Sequence, residues 1–180
     1  MGRVDPRGSP PGASPGPVAQ TDLARTGSPH LGPRTEDSSF LRLLLRVRYE
    51  EIEHTADVGI RAYGRSLDEL FANAAEGMFS LIADLSEVKP VGEIEVRLQA
   101  DDLPTLFLRW LGELLYIHDT QRFLFSAFDV HVVGRSLEGH ARGEAIDKDR
   151  HELRLVIKAV TRHGLTVDPE KGIAEVIFDI

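Results

Sequence analysis

EHTADVGI, residues 53–60, is the stretch from which the fold of this chain can be worked out. It places three side chains capable of chemistry, Glu53, His54 and Asp57, within five residues. Residues 57–63 then alternate apolar and polar side chains, which is typical of a half-buried strand. Taken alone, such a cluster is most often the polar end of a strand whose charged side chains are solvated.

The other end of the chain supplies a counterpart. Residues 177–180 are apolar except for Asp179, which stands beside the carboxylate of Ile180. If this run pairs with the strand that starts at Asp57, three carboxylates meet, and without a cation they repel one another. An ion with oxygen ligands only would be Ca²⁺, Mg²⁺ or Mn²⁺ rather than zinc or copper. The alternative is that all three are exposed acids at strand ends.

The composition limits the possible functions. The 180 residues allow one domain with an appendage, and the absence of cysteine excludes disulfides and thiolate metal sites. Residues 1–47 carry six arginines and four acidic residues, a charge of +2, so residues 48–180 carry −10 against −8 for the whole chain. An acidic domain binds phosphate backbones poorly, because that affinity comes from cationic contacts. We therefore expect any RNA to be reached only indirectly, through a partner.

Residues 1–47 differ in character from the remainder. Seven of the ten prolines fall within residues 1–35, and neither helical nor strand periodicity is visible there. Such a segment buries too little apolar surface to offset its ordering entropy, so we predict a disordered leader followed by a folded domain at 48–180. Organellar targeting and a true start further downstream are alternative explanations of the leader. The leucine run at residues 41–45 is too short for a membrane span, and we expect a cytoplasmic protein with no membrane partner.

Two amphipathic helices are predicted. Ser66 and Glu69 form a capping box, in which a hydroxyl and a carboxylate satisfy free amide groups at a helix start. One apolar stripe follows over four turns: Leu67, Leu70, Phe71, Ala74, Ala75, Met78, Leu81 and Ile82. Asp102 offers a second N-cap, with Pro104 tolerated in the first turn. The second stripe consists of Leu103, Leu106, Phe107, Trp110, Leu111, Leu114 and Leu115.

The other periodic stretches alternate as strands do. They are residues 47–51, 94–98, 128–132, 137–146, 153–159 and 174–178. Short connections between the last strands, such as the turn at residues 168–172, favour antiparallel pairing. Two long helices also need a sheet surface for their apolar faces. We therefore predict an α+β fold: a two-layer domain with a mostly antiparallel mixed β-sheet and two long helices packed on one face.

Catalytic motifs are scarce in this chain. It has no cysteine, no Gly-x-Ser-x-Gly elbow and no glycine-rich phosphate loop, and its histidines lack the paired spacing of a zinc helix. A small metal-dependent hydrolase would use the carboxylates with His54 as base, but no second water-activating group stands at obvious spacing. A general chaperone-like binding module is another alternative. Lys158 fits a solvated strand face as well as a functional site.

Several motifs, in order, resemble the archease family. They are residues 53–60, residues 64–71, Asp101-Asp102-Leu103, residues 110–116, Gly143-Glu144, residues 157–163 and the terminal Phe178-Asp179-Ile180. The resemblance runs from about Tyr49 to Ile180. Taken together the motifs are specific, although no single one is.

The resemblance carries a function with it. Archeases are small coactivators of the RtcB-type RNA ligase, which joins RNA ends in tRNA splicing and RNA repair. The resemblance therefore implies that this chain is an accessory protein, not an enzyme. Such a protein promotes guanylylation of the ligase with GTP and supports its multiple turnover. It also implies that Asp57, Asp179 and Ile180 bind a divalent cation, most often Ca²⁺, with Mg²⁺ and Mn²⁺ as alternatives.

Three further residues are implied in support of this site or in contact with the partner: Glu53, His54 and Lys158. Two positions depart from the family pattern. Glu53 stands where the family commonly has Asp, which keeps the acid but lengthens it by one methylene. Arg162 stands where Tyr is frequent, so we expect partner contact to differ there.

Overall fold

The computed structural model of the chain describes residues 47–54 and 57–180. Of the leader predicted at residues 1–47, only Val47 lies within the described residues, so the disorder of that segment stays a prediction. The helices and strands that the structure describes lie between residues 49 and 179, inside the domain predicted at 48–180.

Both predicted helices are confirmed, together with their caps. Helix α1 (Leu67–Ile82) begins after Ser66, whose hydroxyl accepts the N–H of Glu69 at 3.1 Å. Helix α2 (Leu103–Gln121) begins after Asp102, whose carboxylate accepts an N–H of the first turn at 2.7 Å. These bonds satisfy amide groups that a helix start otherwise leaves free. No helix in the described part of the chain combines the length and apolarity of a membrane span.

The described strands form two sheets. They are β1 (Tyr49–His54), β2 (Asp57–Tyr63), β3 (Gly92–Gln99), β4 (Phe123–Val133), β5 (Ser136–Ala145), β6 (Ala159–Val160), β7 (Thr166–Asp168) and β8 (Ile173–Asp179). The five-stranded sheet has the order β1-β2-β8-β6, with β7 also paired to β8, and the three-stranded sheet has the order β3-β5-β4. The pairings between these strands are antiparallel.

The predicted α+β class, with two long helices and antiparallel pairing, is thus confirmed. The difference is that the strands divide between two sheets where one mixed sheet was expected. The strands divide because β3 pairs with β5 and not with the five-stranded sheet, although α2 and β4 lie between β3 and β5 in the sequence. Alternation within a strand identifies its buried face but carries no information on so distant a partner.

One predicted strand is largely wrong. Residues 153–159 alternate, yet only Ala159–Val160 enters the five-stranded sheet as β6. The backbone bonds of this segment go to different elements: Arg154 donates its N–H to the end of α1, and Lys158 donates its N–H to the end of β8, each at 2.8 Å. The alternation therefore reflects burial of Ile157 rather than a continuous ladder.

A single apolar core joins the helices to both sheets. Its largest fully buried side chains include Trp110, Tyr63, Phe71, Phe79, Phe107, Phe125 and Phe178. The indole N–H of Trp110 donates to the carbonyl of Phe71 at 3.1 Å and so ties α2 to α1. Trp110 is core, as its place in the second apolar stripe predicts.

Candidate metal site

One end of the five-stranded sheet brings together residues from distant parts of the chain. In the β1–β2 pairing, His54 stands opposite Asp57. The antiparallel β2–β8 register, continued by one residue, places Asp57 opposite Asp179. On the other side of β8, Ala159 of β6 is opposite Asp179. These four residues form one row across four strands, although they come from both ends of the domain.

The acids of this row stand on the face of the sheet that points away from the core. Ile60 of β2 is buried, so Asp57 and Arg61, at alternate positions, belong to the outer face. Arg61 stands opposite Glu175 of β8, and its Nε lies 2.6 Å from Oε1 of that residue. Opposed side chains on this face are thus in contact. The same register puts Asp57 beside Asp179, because directly opposed side chains are nearest neighbours across an antiparallel pair.

Lys158 reaches the same end of the sheet. Its backbone N–H donates to the carbonyl of Asp179 at 2.8 Å, and its ammonium donates to the main-chain oxygen of Ile180 at 2.8 Å. The side chain is exposed, as the solvated-face alternative expected. Its charge is nevertheless directed at the main-chain oxygen that follows Asp179, so Lys158 belongs to this cluster.

The predicted site is described unevenly. Glu53 and His54 are located by their backbone in β1, and their side chains lie outside the described set. Among the side chains that are described, no group of three or more His, Asp and Glu is arranged to hold a metal ion. The set Asp57, Asp179 and Ile180 is of another kind, because it combines two carboxylates with main-chain oxygens. Its donors are all oxygens, which suits Ca²⁺, Mg²⁺ or Mn²⁺.

A second charged cluster, not predicted from the sequence, lies at the end of β5. The Glu144 side chain is 12% exposed and accepts hydrogen bonds from Arg150 at 3.0 and 2.7 Å and from the N–H of Lys89 at 2.7 Å. These hydrogen bonds lower the pKa of the Glu144 carboxyl to about 2, and the guanidinium of Arg150 contributes most to the shift. The buried His151 ring accepts the N–H of Asp147 at Nδ1, 3.0 Å away, and turns Nε2 toward Glu144 at 3.2 Å.

The Glu144 cluster has a structural role. Each nitrogen of the His151 ring has a partner, and the acid accepts from three residues, so the groups that meet there are engaged in holding the turn after β5. Neither spacing nor residue type signals the cluster in the sequence. Its members meet through a turn, and turns leave no periodic pattern of the kind that helices and strands do.

Comparison with known proteins finds a family that this chain is similar to. The model of the archease protein family matches residues 49–180. A protein archease of Sulfurisphaera tokodaii is 44% identical over 123 residues, which are 67% of this chain and 88% of that protein. A protein archease of Saccharolobus islandicus is 46% identical over 132 residues, 72% of this chain and 95% of the relative.

A solved structure is similar as well. The solution structure of protein 1598 of Methanobacterium thermoautotrophicum aligns with a TM-score of 0.65 and 40% sequence identity. The alignment covers 74% of this chain and 99% of that chain. The similarity thus spans nearly the whole length of the smaller protein.

Proposed function

This chain belongs to the archease family, and from that premise we propose that it is an accessory protein, not an enzyme, that activates an RtcB-type RNA ligase in the cytoplasm. In this role it promotes guanylylation of the ligase with GTP and supports repeated turnover in tRNA splicing and RNA repair. The observation that supports the proposal is the β2–β8 register, which pairs Val58 with Phe178 and, continued by one residue, brings Asp57 opposite Asp179.

The row suits a divalent cation. Two carboxylates on adjacent strands repel each other unless a positive charge joins them. Asp57, Asp179 and the main-chain oxygens of Ile180 would hold the ion, with Ca²⁺ the best match and Mg²⁺ or Mn²⁺ as alternatives. When bound, the cation would neutralise these acids and present a positive charge with open coordination positions to the partner.

Three residues beside the two acids have supporting roles. Lys158 donates to the main-chain oxygen of Ile180 and so holds the end of β8 beside the acids. Its ammonium is exposed and is available to an acidic or phosphate group of the ligase. His54 stands opposite Asp57, and Glu53 precedes it on β1, at the outer side of the same sheet edge. We assign both to support of the site or contact with the ligase.

RNA enters this function through the partner. Residues 48–180 carry a net charge of −10, which repels a phosphate backbone over most of the domain surface. The ligase therefore holds the RNA, and the accessory protein acts on the ligase. A divalent ion at the acidic row is the feature that allows such a surface to approach a site that handles nucleotides.

A ligation assay tests the proposal, with the ligase from the same organism, GTP and an excess of RNA ends. We expect the protein to raise the number of turnovers, and Asp57→Asn to lose that stimulation. Ca²⁺ or Mn²⁺ at about a hundredfold excess over its Kd should raise the Tm of the unaltered protein by roughly 5–10 °C, and that of Asp57→Asn hardly at all. Asp129→Asn, on the exposed side of β4, is the matched control and should keep both properties.

Two results would contradict this function. If Asp57→Asn still stimulates the ligase, the acidic row is not required for that stimulation. Turnover of RNA by this protein without any ligase would favour the metal-dependent hydrolase, and rescue of unrelated aggregating proteins would favour the chaperone-like module.

A further inference from the structure

Three arginines from three different elements meet near the start of α2. Arg109 belongs to the second turn of α2, Arg135 to the turn between β4 and β5, and Arg162 to the segment after β6. Arg162 donates to the hydroxyl of Thr105 at 2.9 Å. Thr105 precedes Arg109 by four residues on the helix, and residues at that spacing are neighbours on a helix surface.

Each of the three guanidinium groups is anchored by a neutral oxygen. Arg109 donates to the carbonyl of Gln99 at 2.6 Å, and Arg135 donates to the carbonyl of Asp101 at 2.6 Å. Within the described part of the chain, no ion pair includes any of the three. Other arginines there, namely Arg48, Arg61, Arg97, Arg150 and Arg154, do pair with carboxylates. The three anchored arginines therefore keep their charge and most of their N–H donors.

An open cavity of about 490 Å³ separates Arg109 from Arg135, and Gln99, Ala100 and Asp101 complete its lining. The acids nearby are Asp101, Asp102 and Glu113, which stands four residues after Arg109 on α2. The Asp102 carboxylate caps α2 through the N–H of Thr105. Hydrogen bonds from the Thr105 side chain and N–H lower the pKa of Asp102, and the charges of Arg162 and Arg135 lower it further. The Asp102 carboxylate is thus engaged by groups of the domain itself. The amide groups of Thr105 and Leu106 at the helix start are also bonded to Asp102, and the guanidinium groups of Arg109 and Arg135 line the cavity.

We propose that Arg109, Arg135 and Arg162 form a binding site for a phosphate group, carried either by a free nucleotide or by an RNA backbone. Arg109 and Arg135 reach the cavity from two elements, and Arg162 reaches the start of α2 from a third. Separate guanidinium groups suit the several oxygens of a phosphate, whereas a planar carboxylate is satisfied by one bidentate fork. Three positive charges against the three acids Asp101, Asp102 and Glu113 make this region locally neutral, in contrast to the −10 carried by residues 48–180 as a whole. The site does not depend on the metal row or on the ligase.

The test is a titration of the full chain that follows the arginine Nε–Hε resonances by NMR. The probes are inorganic phosphate, a nucleoside triphosphate and a single-stranded RNA of about ten nucleotides. Arg109→Gln/Arg135→Gln should weaken binding at least about tenfold and reduce the salt dependence of RNA binding by about one phosphate contact per arginine. The control Arg65→Gln/Arg142→Gln removes the same charge from exposed positions elsewhere and should change binding less than about twofold.

The probes separate the two sources of phosphate. Tighter binding of the triphosphate than of the RNA supports a nucleotide site, and the reverse supports a backbone contact. If the control pair weakens phosphate binding as much as the Arg109/Arg135 pair does, the effect is one of net charge and the proposal is overturned. Binding of a Glu-rich peptide as tight as that of phosphate would overturn it as well. If the Gln pair fails to fold, Arg109→Lys/Arg135→Lys keeps the charge, loses the planar fork and should still weaken binding several-fold.

Discussion

The ammonium of Lys158 donates a hydrogen bond to the main-chain oxygen of Ile180 at 2.8 Å. This bond puts a fixed positive charge next to the oxygens that are proposed to hold a cation together with Asp57 and Asp179. A cation bound at this oxygen would compete with the ammonium. On the proposed function, we expect Lys158 to hold the end of β8 when no ion is bound and to turn to the partner when one is.

Lys158→Met tests this competition. The change removes an exposed charge, so the free energy of unfolding without metal should move by less than about 1 kcal/mol. The Tm rise caused by Ca²⁺ should be kept or increased, because an oxygen of Ile180 is released, while stimulation of the ligase should fall. Lys148→Met, at an exposed position of the turn after β5, is the control and should leave both unchanged. Loss of the metal response in Lys158→Met would show that the lysine helps to build the site.

Trp110→Ala should be among the most damaging core changes. The side chain is fully buried, its indole N–H donates to Phe71, and a Cβ at Gly139 would lie 2.6 Å from its ring, so the ring fills its space closely. Truncation should cost about 3–5 kcal/mol of unfolding free energy. Because the chain has a single tryptophan, urea denaturation should be followed by circular dichroism. A cost below about 1 kcal/mol, typical of surface positions, would contradict this packing.

The sequence predicts best those structural features that are determined by residues close together in the chain. Ser66 and Glu69 mark the start of α1, and the apolar stripe gives its end, because capping and helical spacing act within a few residues. The bounds of β2 follow in the same way from alternation. Residues 153–159 show the limit: they alternate because Ile157 is buried, but the backbone partners of the segment are set by elements far away in sequence.

The same distinction applies to the candidate sites. That Asp57 comes opposite Asp179 follows from continuing the β2–β8 register by one residue, and burial of one face of each strand leaves little freedom of register. Glu144 and Arg162 each lie in a motif of the family resemblance, but nothing in the motifs indicates that Glu144 contacts His151 or that Arg162 lies near Arg109 and Arg135. Both clusters form where turns and helix ends from separate elements converge, which only the folded chain brings together.

Glu144 makes stability depend on pH in a defined window. Its pKa falls from an ordinary 4.5 to about 2 in the folded protein, chiefly through Arg150. A carboxyl with a lower pKa when folded stabilises the fold above its ordinary pKa, and that stabilisation is lost as pH falls through the folded value. We expect the free energy of unfolding to fall between pH 5 and 2, as measured by urea denaturation, and to fall less steeply in Glu144→Gln. Glu152→Gln, at an exposed position, should follow the unaltered protein; identical curves for both variants would contradict the prediction.

An extension by one glycine after Ile180 tests the oxygens at the end of β8. With a glycine added, the main-chain oxygen of Ile180 is a neutral carbonyl, and the terminal carboxylate lies about 3.5 Å further along the chain. If the carboxylate is a ligand, Ca²⁺ affinity should fall at least about tenfold, which is about 1.4 kcal/mol, and ligase stimulation should fall with it. Ile180→Val keeps the carboxylate and nearly the same side chain, and should bind Ca²⁺ as the unaltered protein does. Calorimetric titration with Ca²⁺ measures all three proteins. An extended protein that binds Ca²⁺ and stimulates the ligase normally would remove Ile180 from the site and leave Asp57 and Asp179 to hold the ion with groups from β1.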